Sequence, residues 1–128
     1  RLNYYQQMMK VRREGDLGEV RKEIEDRYGH FPEEVAAAFH VLYLRIRAQN
    51  LDIEKAEAKG GRIAATIKNR GQISPLALSL LSKMNREAYF ARDQLIWPYS
   101  GDALNAADNM VAAIESAIDQ AEAMRSGV

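Results

Sequence analysis

Tyr28-Gly29-His30-Phe31-Pro32 constrains this chain more than any other stretch. Glycine takes the left-handed conformation that closes a helix C-terminus. Proline has no amide hydrogen to lose at the first turn of a following helix. The segment therefore predicts a rigid corner between one helix ending at Tyr28 and another starting at Pro32. Just before the corner, Glu23 and Asp26 are three residues apart and share a helix face. Nothing in the corner needs them, which makes them a candidate contact surface.

The periodicity around this corner is helical. Leu2, Tyr5 and Met9 form one stripe of a helix ending near Arg13, and Glu14-Gly15-Asp16 predicts a break. Asp16 and Glu19 have the spacing of a capping pair. A second helix then spans 17–28 with Leu17, Val20, Ile24 and Tyr28 as its apolar stripe. At about 100° per residue, Glu19, Glu23 and Asp26 fall on the opposite side. The third helix, 32–50, has Val35, Ala38, Phe39, Leu42, Tyr43 and Ile46 as its inner face. Arg45 and Arg47 lie near its C-terminal end, where positive charge suits the dipole.

Beyond Asn50 the period changes to two. Residues 53–59 and 62–68 alternate around Gly60-Gly61, a two-residue hairpin signal. The alanines in both runs weaken them as strands. A loop over 69–73 leads to Ser74-Pro75, a cap followed by a first-turn proline. The short apolar helix that follows carries Leu76, Leu80, Leu81 and Met84. Tyr89 to Trp97 reads as extended, either a bent strand or a hairpin around Arg92-Asp93-Gln94. After a turn at 98–101, Asp102 caps a last helix reaching about Met124. Leu104, Ala107, Val111, Ile114, Ile118 and Ala121 form its heptad-like seam, expected to pack on the sheet or on the third helix. The fold class is α+β: three helices in the N-terminal half, a small hairpin or sheet, a short helix and a long C-terminal helix. One domain is expected over 1–125, with 126–128 a frayed tail.

Composition removes several function classes. Eighteen basic and eighteen acidic side chains cancel. Residues 1–70 carry 14 basic and 11 acidic groups, and residues 71–128 carry 4 and 7. That asymmetry is too weak for a nucleic-acid footprint, which is clearly basic. Arg12, Arg13, Arg21, Lys22, Arg27, Arg45 and Arg47 are diluted by carboxylates, so a nucleic-acid-binding accessory module is the alternative reading only. There is no cysteine, hence no disulfide or thiolate zinc site. No apolar run approaches the roughly 20 residues of a membrane span, and no secretory signal pattern is present. The chain starts at Arg1 inside a helical pattern, so it reads as a fragment of a longer protein. His30 and His40 lack a second donor at metal-ligand spacing. Ser74 has a capping role and no histidine near it. Gly60-Gly61 precedes a strand, not a helix, which excludes a phosphate loop. No catalytic, cofactor or metal site emerges.

Three pieces occur in order: Arg1-Leu2-x-x-Tyr5, then Glu23-x-x-Asp26-Arg27-Tyr28-Gly29-x-x-Pro32, then Leu51-Asp52-Ile53-Glu54-Lys55. Together they resemble the C-terminal domain family of bacterial transcription-repair coupling factors (Mfd), closely from Arg1 to about Ile67. Ile24 stands where that family has Leu, and Asp52 where it has Gly; Asp tolerates left-handed geometry better than most residues. The resemblance implies a noncatalytic, autoinhibitory regulatory domain of a cytoplasmic bacterial motor. It implies docking on the N-terminal module of the same protein, hiding the surface that recruits the repair subunit UvrA until stalled RNA polymerase is engaged. No cofactor is implied in this domain; ATP and Mg belong to the parent motor, which also makes the DNA contacts. The protein-interface residues so implied are Glu23, Asp26 and Arg27, with Glu19 on the same stripe. Without the resemblance, an acidic stripe is ordinarily solvated surface.

Overall fold

The computed structural model describes residues 14–30 and 32–127, in two compact units that part between Arg47 and Ala48. The elements are α1 (Glu14–Tyr28), α2 (Glu33–Asn50), β1 (Ile53–Lys59), β2 (Arg62–Ile67), a 3-10 turn (Arg70–Gln72), α3 (Pro75–Met84), β3 (Tyr89–Ala91), β4 (Gln94–Pro98) and α4 (Ala103–Arg125). This is the expected α+β class. The helix expected over 2–13 lies outside the described residues.

The first unit is organised by the corner. Gly29 has φ +83°, and its N–H donates to the Glu25 carbonyl at 2.8 Å. The Pro32 carbonyl accepts from the amides of Val35 and Ala36 at 3.0 and 3.2 Å. Pro32 thus caps α2 from one residue outside it, rather than sitting in its first turn. Ile24 of α1 packs with Val35, Phe39 and Ile46 of α2, flanked by Val20, Ala38 and Leu42. Each such side chain stabilises by about 1.5–3 kcal/mol when fully buried.

Two expectations fail here. The break at Glu14-Gly15-Asp16 is absent, because all three residues are helical. Glycine inside a helix costs only about 1 kcal/mol relative to alanine, a penalty that burial of Ile24 outweighs. Tyr43 is not on the inner face. It is 39% exposed, with the Arg47 guanidinium 5.3 Å from its ring centroid. A ring with a polar tip gains by staying at the edge of an apolar face. Leu44, next to Tyr43, is buried instead.

In the second unit, Lys59 pairs with Arg62 across Gly60 and Gly61, whose φ values are +61° and +74°. Two successive left-handed residues make the hairpin turn that matches strand twist. The sheet is antiparallel throughout, in the order β1-β2-β4-β3. Ile63 lies opposite Trp97 and Ala65 opposite Leu95, and all four are buried, so one sheet face is core. β1 is an edge strand buried only at Ile53. Its Lys55 and Lys59 discourage pairing with another chain.

α3 begins where Ser74 Oγ accepts from the Ala77 amide at 3.2 Å, and it buries Ala77 and Leu81. α4 begins where Asp102 Oδ2 accepts from the Asn105 amide at 2.9 Å. Its buried stripe is Ala106, Met110, Val111, Ile114, Ala117 and Ala121, set chiefly against α3 and touching β2. The expected seam is therefore rotated: Leu104 is 36% exposed, while Ala107 and Ile118 are half-buried. Helix separation depends on the side chains at the contact. Three of the six buried residues, Ala106, Ala117 and Ala121, are alanines, which permit closer approach than leucine would.

Asp52 links the helical and strand regions with φ +59°, and its carbonyl accepts from the Lys68 amide at 2.8 Å. Left-handed geometry costs an ordinary L-residue about 1–2 kcal/mol, and Asp less. Asp52→Gly is expected to leave stability within about 0.5 kcal/mol, since relief of φ is offset by extra unfolded-state freedom. Asp52→Val is expected to lose about 1–2 kcal/mol. Denaturant titrations followed by circular dichroism check both; equal stability of the two variants would contradict the backbone argument.

Candidate interaction surface

α1 carries the sequence-predicted surface. Ile24 is 1% exposed and sets the inward direction of the helix. With about 100° between successive residues, Glu19, Glu23 and Asp26 lie within an arc of about 60°, centred about 130° from Ile24. Arg27 falls between this arc and the buried stripe. All four residues are exposed.

Electrostatics distinguishes these carboxylates from their neighbour Glu25. Arg21 Nε contacts Glu25 Oε1 at 3.0 Å on the other flank of the helix, both side chains about half exposed. An exposed pair at this spacing contributes about 0.3–0.5 kcal/mol. Among the described residues, no ion pair reaches Glu19, Glu23 or Asp26. Asp26 also stands in the last turn of α1, where the negative end of the helix dipole disfavours an acid. Helix stability therefore does not explain its presence. Three acidic groups on one outward arc suit a basic partner surface.

The described basic residues of α1 make no comparable arrangement. On α1, Arg21, Lys22 and Arg27 point in three directions around the helix. Arg21 is committed to Glu25, and Arg47 on α2 stacks on Tyr43. A phosphate backbone needs cations aligned along one track. His30 and His40 are exposed, and no group of three His, Cys, Asp or Glu able to hold a metal occurs among the described residues. No described helix is long and apolar enough to cross a membrane.

What the first unit offers, then, is an exposed acidic face on one helix. Residues 1–78 match the TRCF domain model, and the chain belongs to the TRCF domain family. It is similar to the transcription-repair-coupling factor of Escherichia coli (strain K12), with 35% identity over 71 residues, covering 54% of this chain and 6% of that protein. The chain thus spans a small fraction of the length of that relative. The fold resembles a solved structure described as the crystal structure of the C-terminal domain of transcription-repair coupling factor. The TM-score is 0.67 at 12% identity, over 93% of this chain and 81% of that one.

Proposed function

We propose that this chain is the regulatory C-terminal domain of a transcription-repair coupling factor and works by intramolecular docking. Glu19, Glu23 and Asp26, with Arg27 beside them, hold the N-terminal repair-recruiting module in a closed form. That contact masks the UvrA-binding surface and restrains the DNA translocase. The domain itself does no chemistry; ATP, Mg and DNA are handled by the parent motor. The observation that carries this reading is the outward acidic arc, without ion-pair partners among the described residues, whose member Asp26 stands where the helix dipole disfavours an acid.

The energetics suit a latch. Docking within one molecule benefits from high effective concentration, so modest contacts suffice. Rim charges select the partner and weaken with salt, which makes the contact releasable. In the full-length parent, Glu23→Ala with Asp26→Ala is expected to raise UvrA binding about tenfold, corresponding to about 1.4 kcal/mol of lost closure. Surface plasmon resonance with immobilised UvrA measures it. Unchanged affinity, with the fold intact by circular dichroism, would remove this surface from the latch.

A further inference from the structure

The second unit holds a cavity of about 340 Å³. Its floor is apolar, formed by Leu78 and Leu81 of α3, Ala88, and Leu95 of β4. Leu81 and Leu95 are 3% and 2% exposed, so this floor is core surface reached from outside. The volume lies at the low end for small-molecule sites and suits one large apolar side chain.

A cation is fixed at the mouth. The Arg70 guanidinium carbon lies 4.2 Å from the centroid of Phe90, and Nη1 donates to the Arg92 carbonyl. These contacts hold the guanidinium in one place while leaving other N–H donors of its five. Beside it runs β3, three residues long and at the sheet edge, with Tyr89 48% exposed. An edge strand next to a side-chain pocket is the arrangement by which extended peptides dock. Charge indicates which peptide. Arg70 is the one charged side chain among the residues that line the pocket, and no carboxylate lines it.

We propose that this pocket docks a short extended peptide, seating a bulky apolar side chain on the leucine floor with a neighbouring carboxylate on Arg70. This is independent of the acidic arc on α1. The test selects random seven-residue peptides, displayed on phage, against the intact 128-residue chain. Counter-selection uses Ser82→Trp, which fills the mouth from an exposed position of α3, or Arg70→Glu should that variant fail to fold. The expected consensus is Leu, Phe or Trp next to Asp or Glu. A synthetic peptide of that consensus should shift the amide resonances of Leu78, Ala88, Phe90 and Leu95, and bind Arg70→Ala at least tenfold more weakly. The proposal is overturned by any of four results. These are no enrichment over the counter-selected variant, a basic consensus, affinity indifferent to Arg70→Ala, or free phenylacetate binding as tightly as the peptide, which would make the cavity a small-molecule site.

Discussion

Reversing both charges, with Glu23→Lys and Asp26→Lys in the full-length parent, is expected to raise UvrA affinity by roughly 100-fold. Like charges brought together at an interface cost several kcal/mol, and about 3 kcal/mol corresponds to about two decades. The gain has a ceiling. Once the closed form is emptied, further repulsion exposes no more binding surface, so the plateau measures the closed-to-open ratio itself. The unmodified protein should approach the same plateau as salt screens the contact. Since both side chains are exposed and Ile24 remains in place, thermal unfolding of the 128-residue chain should barely move. A large affinity gain accompanied by a collapsed melting curve would mean that unfolding, not unlatching, exposed UvrA's site.

The second large effect concerns stability. Trp97→Ala is expected to cost about 3–5 kcal/mol, from lost burial plus the cavity left behind. Trp97 is 6% exposed and lies opposite Ile63 on the covered sheet face. Whole domains have only about 5–15 kcal/mol of stability, so the second unit should unfold at far lower denaturant. Circular dichroism is the appropriate probe, because the substitution removes the only tryptophan. Ile96→Ala, half-buried on the opposite sheet face beside Ala64, should cost much less. Equal losses at the two positions would place the core on the wrong face.

Local punctuation was readable residue by residue. Gly29, Gly60-Gly61, Ser74-Pro75 and Asp102 each announce a cap or turn, and each makes one. Asp52 was recognisable as a left-handed position because it stands where the resembling family has glycine. The acidic arc was equally visible, since a helical period and one buried isoleucine place Glu19, Glu23 and Asp26 outward. The misses share a different cause. Gly15 suggested a break, yet a single glycine penalty is smaller than the burial of the stripe beyond it. Both Leu104 and Ala106 look admissible on α4, and the helix turns Ala106 inward. The pocket gave no sequence signal at all, because Arg70 meets Phe90 and Arg92 from twenty or more residues away.

Sequence alone determined the order of the described helices and strands, the corner at Gly29, the hairpin turn and the outward carboxylates. Each depends on backbone preferences or periodicity within a few neighbouring residues. Tertiary structure alone decided the rotation of α4, the exposed place of Tyr43 and the cavity beneath Arg70. Those depend on which surfaces meet and how closely they approach, and contact between distant segments is not encoded in any local window.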